Sequence, residues 1–176
     1  MIYAASGHRP GKLGGFGEPN LSRLDRFAHA AIKMLVTDDP QAHVLTGMAQ
    51  GWDMAIARAC VALSVPWTAA IPYKGQEEIW PPHVQEVYRE LVEKAGERVV
   101  VSTGDWSVRK LLARNEWMVD QVKGQPEREL SPWGGGGMLV LWDGKKEGGT
   151  YKCVEYAEKR GVDVWNFWEQ WVGWRG

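Results

Sequence analysis

Thr46-Gly47-Met48-Ala49-Gln50-Gly51-Trp52-Asp53 follows the short apolar run His43–Leu45 and leads directly into Trp52–Leu63, a segment with helical spacing. Glycines at a strand-to-helix turn let the backbone approach a ligand. The free N–H groups and the positive end of the helix dipole then face any anion placed there. The stretch therefore reads as the junction of a βα unit, and the same alternation continues on both sides of it. Apolar runs at Ile2–Ala5, Pro66–Ile71, Arg98–Ser102, Met138–Trp142 and Val162–Trp165 read as further buried strands. Between them, Leu21–Val36, Gln76–Ala95, Val108–Val122 and Tyr151–Arg160 carry helical spacing. Alternation of this kind implies an α/β, Rossmann-like three-layer fold with a mostly parallel sheet, because parallel strands need right-handed crossover helices. Ligands in such folds sit beyond the C-terminal ends of the strands, near the switch in strand order.

The loops that follow the strands are therefore the ones to read for chemistry. After the first strand comes Ser6-Gly7-His8-Arg9-Pro10, where Gly7 allows a tight turn and Arg9 offers a forked guanidinium for phosphate or carboxylate. His8 is either a residue hydrogen-bonded to loop backbone or a ligand contact. In the Thr46–Asp53 loop, Asp53 is either a carboxylate that stabilises its own helix start or a group that recognises a hydroxyl. The loop is neither the Gly-x-Gly-x-x-Gly fingerprint nor a P-loop. The third strand runs into Ile71-Pro72-Tyr73-Lys74-Gly75-Gln76-Glu77, with Glu77 and Glu78 expected at a helix start. Arg114-Asn115-Glu116-Trp117-Met118 lies on the fourth crossover helix, where Arg114 either pairs with a solvated acid or reaches the site. Trp142-Asp143-Gly144 ends the fifth strand, and Gly148-Gly149-Thr150 opens the next helix as a second glycine-rich anion seat.

The chain has 176 residues, enough for one domain with a core of its own, and residues 1–176 are expected to form a single domain. Its 21 basic and 22 acidic residues leave a net charge of −1, so no overall field favours nucleic acid or an anionic membrane. Cys60 and Cys153 are too far apart in sequence to suggest a metal-ligand spacing or a disulfide framework, which fits a reducing cytoplasm. No leader-like segment and no run of 18 apolar residues is present, so a membrane span is not expected. Asp53, Asp120 and Asp143 form no recognisable metal motif, and no metal is expected. Residues 124–137, with two prolines and four consecutive glycines, read as a flexible insertion. The tail at 165–176 carries Trp165, Trp168, Trp171 and Trp174 at a spacing of three. It reads either as a cap on the core or as an exposed aromatic patch for self-association.

With these blocks in order, the chain resembles the SLOG superfamily, which joins LOG-type proteins, the DprA core and YpsA-like proteins. It is most similar to the YpsA-like branch. The DprA resemblance is confined to the core fold and the Gly47–Asp53 loop. The resemblance implies a SLOG-type Rossmann-like sheet, a pocket for a nucleotide or nucleotide-derived ligand, and a homodimer or larger oligomer. The ligand-binding residues it implies are Ser6, Gly7, His8, Arg9, Thr46, Gly47, Met48, Ala49, Gly51, Asp53, Lys74, Gln76, Glu77, Arg114, Asn115, Asp143, Gly148, Gly149 and Thr150. LOG enzymes release a base from a nucleoside monophosphate and place a glutamate three residues after the Gly-Thr pair. Here that place holds Cys153, and Glu155 lies about 200° further round the helix.

Two glycine-rich anion seats without a nucleophile–base pair favour a module that senses, carries or sequesters a nucleotide, with no other cofactor expected. The alternative is a nucleotide N-glycosidase or phosphohydrolase. In it, Arg114 and Arg9 clamp phosphate while Glu77, Asp143 or Asp53 serves as base. A DprA-like DNA-associated or protein-interaction role is the third reading, with nucleic acid disfavoured by the charge balance.

Overall fold

In the computed structural model, which describes residues 1–125 and 136–175, each of the six apolar runs contains a strand. These are β1 (Ile2–Gly7), β2 (His43–Thr46), β3 (Trp67–Ile71), β4 (Glu97–Val100), β5 (Gly137–Leu141) and β6 (Val164–Asn166). The helices are α1 (Glu18–Asp38), α2 (Trp52–Ala62), α3 (Pro82–Lys94), α4 (Val108–Lys123), α5 (Gly148–Lys159) and α6 (Trp168–Gly173). A 3-10 turn at Pro10–Lys12 precedes α1.

All strand pairs are parallel, in the order β4-β3-β2-β1-β5-β6. From β1 the chain steps outward to β4, and α4 then carries it back to β5 on the other side of β1. The switch in strand order thus falls between β1 and β5, where Rossmann-like sheets open a crevice. Side chains of a strand alternate between faces, and the two cores follow that period. Tyr3, Ala5, Val44, Ala69, Leu139 and Leu141 pack with α1, α2 and α6. Ala4, Leu45, Ala70, Met138 and Val140 pack with α4 and α5. Helices therefore cover both faces of the sheet, giving three layers of the Rossmann-like type.

Several boundaries differ from the sequence reading. The third helix starts at Pro82, not Gln76, because Pro81 and Pro82 break the helical hydrogen-bond run and Pro82 fits only a first helical turn. Glu77 and Glu78 accordingly lie in turns rather than at a helix start. Ser6 and Gly7 belong to β1 itself. Gly137 belongs to β5, where an added Cβ would lie 2.5 Å from the Trp165 ring. Of the expected insertion at 124–137, Gly124 ends α4, and Gln125 donates from Nε2 to the Ile2 carbonyl at 2.9 Å. The remainder, 126–135, lies outside the described residues.

The four tail tryptophans do not share one helix. Trp165 sits in β6, Trp168 and Trp171 in α6, and Trp174 just beyond it. They nevertheless fold back onto the core. Trp171 is buried against Phe27, with ring centroids 5.4 Å apart, and Trp174 lies at the same distance from Phe27. Arg23 lies 3.8 Å over the Trp171 ring and donates to the Trp171 carbonyl at 2.6 Å and the Trp174 carbonyl at 3.0 Å. No described helix is long and apolar enough to cross a membrane.

Candidate functional site at the strand switch

The β2–α2 junction is built around two glycines, Gly47 and Gly51, each with a neighbour in the space a Cβ would fill. Gly51 has φ +97° and an added Cβ would sit 2.4 Å from the His8 carbonyl oxygen, so a glycine here lets the loop after β2 lie against the loop after β1. An added Cβ on Gly47 would lie 1.7 Å from Arg114 Nη1, which places the guanidinium against the loop backbone. Thr46 braces the turn from within: its Oγ1 donates to the Asp53 carbonyl at 2.8 Å. Met48 is fully buried with φ +57°. Trp52 is fully buried too, and its Nε1 donates across the sheet to the Leu139 carbonyl at 3.0 Å.

Over these junctions, at the C-terminal edge of the sheet, lies a cavity of about 820 Å³. Its volume falls within the range of small-molecule sites. Of the residues expected at the site, Ser6, Gly7, His8, Arg9, Ala49, Asp53, Gln76, Arg114, Asn115, Gly148, Gly149 and Thr150 line it. Thr46, Gly47, Met48 and Gly51 lie behind that lining as its backbone support. Lys74 is exposed away from the cavity, and Glu77 faces Arg89 at 3.5 Å. Asp143 also stands outside the lining and holds His8 instead: His8 Nε2 is 2.9 Å from Asp143 Oδ1 and 3.1 Å from the Asp143 backbone nitrogen. Burial would raise the Asp143 carboxyl, but the bonds from His8 and the Lys145 N–H hold it below its ordinary range. The pair ties the loop after β1 to the loop after β5 across the strand switch.

Arg114 dominates the floor of the cavity. It is 5% exposed, and no carboxylate among the described residues lies within ion-pair distance of it. Its Nε donates to Asn115 Oδ1 at 2.8 Å, and its Nη1 donates to the carbonyls of Gly47 and Ala70. Nη2 has no hydrogen-bond partner among the described residues, so two strong donors remain unspent at a buried cation. Burial lowers the Arg114 pKa while nearby Asp53 opposes that shift. Asn115 passes the contact on, donating to the Gly149 carbonyl at 3.4 Å and so linking α4 to the start of α5.

Asp53, the second residue of α2, is 4% exposed and lines the same cavity. Burial pushes its carboxyl up to about 6, against the pull of Arg114, of the Ala49 and Gly7 backbone N–H groups, and of Arg9. Cys153, at the place where the LOG resemblance expects a glutamate, is buried, and desolvation pushes its thiol up to about 11. A thiol at that value is a poor nucleophile. Glu155 points out to Tyr151, Lys152 and Lys159. Among the described residues no three His, Cys, Asp or Glu side chains cluster as a metal site.

The opposite wall of the cavity was not anticipated. Trp80, Trp106, Val108, Leu111 and Leu112 make it apolar, with Phe16 and Ile79 at the rim. Trp106 is 60% exposed, a large ring left open to the cavity mouth. The signal was present in the sequence, since Trp106 follows β4 and every loop after a strand opens on this edge. Lys12 and Glu147, paired at 3.0 Å, bridge the mouth between the first and fifth loops, and Lys152 also lines it.

No family model matches the sequence, and no curated protein matches it. Among solved structures, the fold is similar to the X-ray structure of DNA processing protein A (DprA) from Streptococcus pneumoniae. The TM-score is 0.59 and the identity 16%, covering 94% of this chain and 49% of that one. The chain thus spans about half the length of that protein. At that identity the likeness speaks to architecture alone, an all-parallel, helix-covered sheet of the Rossmann-like type.

Proposed function

We propose that this chain binds a nucleotide or nucleotide-derived ligand in the cavity at the strand switch and senses, carries or sequesters it. The observation that carries the reading is Arg114: a buried cation without a carboxylate partner among the described residues, whose Nη2 is unspent where it borders the cavity. Asp53 offsets this charge only from beyond ion-pair distance, so an anion seated at Nη2 would complete it. The phosphate belongs at the start of α5. There Gly148 and Gly149 face open space, and no side chain caps the helix. Arg9 and Lys152 line the same cavity and add positive charge. A base belongs on the apolar wall beside Trp106. The resemblance to the YpsA-like branch and assembly as a homodimer or larger oligomer are part of the same proposal.

A second reading, hydrolysis of a nucleotide, is favoured by one observation: Asp53 is a cavity carboxyl held at about 6, a value suited to proton transfer near neutral pH. Asp143 and Glu77 do not line the cavity, so Asp53 is the general-base candidate with access to a ligand there. A DNA-associated role has the likeness to DprA behind it, but a net charge of −1 gives no general attraction for a polyanion.

The test is a thermal-unfolding screen of nucleotides, ADP-ribose species and cyclic dinucleotides, with each mixture then separated by chromatography. Arg9→Ala and Gly149→Ala serve as fold-sparing site variants, since Arg9 is exposed and Gly149 has open space beside it. A stabilised protein whose shift is lost in both variants, with the compound recovered intact, is the expected result. Release of base or phosphate, absent in Asp53→Asn, moves the reading to the hydrolase. No shift with any compound contradicts both.

A further inference from the structure

The two glycine-rich helix starts at the cavity are not equivalent. At α2 the seat is already taken by the chain's own carboxylate: Asp53 is buried there, and the nearby backbone of Ala49 and Gly7 favours its charged form. A ligand anion placed beside it would meet a like charge in a site with little water to screen it. At α5 the helix has no side-chain cap, and Glu147, which precedes it, turns its carboxylate to Lys12 at 3.0 Å. Gly149 has no positive φ, and an added Cβ there would meet nothing within 4 Å. Packing and backbone conformation therefore do not account for a glycine at 149, whereas close approach of a ligand does.

The cavity is thus polarised. One end, the α5 start, offers backbone donors, and the other, the β2–α2 loop, offers the lone pairs of the Asp53 carboxylate, with the Arg114 guanidinium against that loop. A carboxylate is an acceptor and suits a pair of hydroxyl donors.

Resting on the nucleotide reading above, we propose that Asp53 is the specificity-determining residue of the site. Its carboxylate receives the vicinal hydroxyls of a ribose while the phosphate sits over Gly148–Thr150, so the site selects ribonucleotides against deoxyribonucleotides.

The experiment measures affinity of the wild-type chain for the ribonucleoside 5′-monophosphates and their 2′-deoxy counterparts, by titration at neutral pH, and repeats it with Asp53→Asn. Hydrogen bonds to charged groups carry enough energy that the ribo form is expected to bind roughly tenfold tighter or more in the wild type. Asp53→Asn, checked for folding by circular dichroism, is expected to lose most of that preference while still requiring the 5′-phosphate. Binding of ribo and deoxy forms with equal affinity by the wild type overturns this inference and leaves the nucleotide reading standing. Preference retained in full by Asp53→Asn assigns selection elsewhere and also overturns it. Binding of none of these compounds overturns the ribonucleotide inference, and the broader panel above then decides the nucleotide reading separately. The wild-type comparison needs no variant, so the inference stays open to refutation even if Asp53→Asn fails to fold.

Discussion

Asp53 is the residue where stability and function pull apart. Its carboxyl is buried and raised from the ordinary 3.8 to about 6, chiefly by desolvation, with Arg114 as the largest opposing influence. The folded state binds this proton more tightly than the unfolded chain. The contribution to stability is therefore greatest in acid, falls as pH rises from about 3.8 to about 6, and stays low above that. The penalty at neutral pH is on the order of 3 kcal/mol. Asp53→Asn keeps the side-chain shape and removes the charge. It is expected to raise the urea midpoint at pH 7.5 and to lose that advantage near pH 4. A variant that is equally destabilised at both pH values would show the carboxylate to be structurally required. Gly47 makes the complementary case. Its absent Cβ is the space occupied by the Arg114 guanidinium, so a substitution there displaces the buried cation rather than the ligand.

At the scale of elements, glycines at the two helix starts are expected to behave oppositely on substitution. Gly51→Ala forces a left-handed φ on a residue with a side chain and drives a Cβ against the His8 carbonyl, so it is expected to destabilise the fold. Gly149→Ala has open space and an ordinary φ, and is expected to leave the free energy of unfolding in urea within about 0.5 kcal/mol of the wild type. Loss of folding in Gly149→Ala would mean that the α5 start is a packing feature. The C-terminal segment has a separate job. Trp171 is buried on Phe27 under the Arg23 guanidinium, so Trp171→Ala is expected to cost about 3–5 kcal/mol, measured by chemical denaturation. A cost under about 1 kcal/mol would revive the exposed-patch reading of the tail.

For the molecule as a whole, the sheet was legible because every strand is a short apolar run bounded by turn residues and every crossover is helical. The cavity floor was legible for the same reason: strand ends in a parallel sheet share one edge, which brings Ser6–Arg9, Asp53 and Gly148–Thr150 together. Three things were not. Gln76–Pro81 looked helical by the spacing of its apolar residues, and the paired prolines decided otherwise. Asp143 carried the right chemistry at the right strand end, yet whether a side chain turns to the cavity or to a neighbour such as His8 is a matter of rotamer and packing. The apolar wall depends on Trp106, which lies in a loop without periodicity, so only its position after a strand could have exposed it. Strands from both ends of the chain meet in one sheet, and we propose that residues 1–176 form one domain.

The central claim is that a nucleotide-type ligand lies in this cavity with its phosphate over the start of α5. The most direct measurement is calorimetric titration of the wild type and Gly149→Ala with whichever nucleotide most raises the unfolding temperature. Saturable binding at one site per chain, weakened at least tenfold in a Gly149→Ala protein of unchanged stability, is the result this account expects. Equal affinity for the two proteins would contradict it.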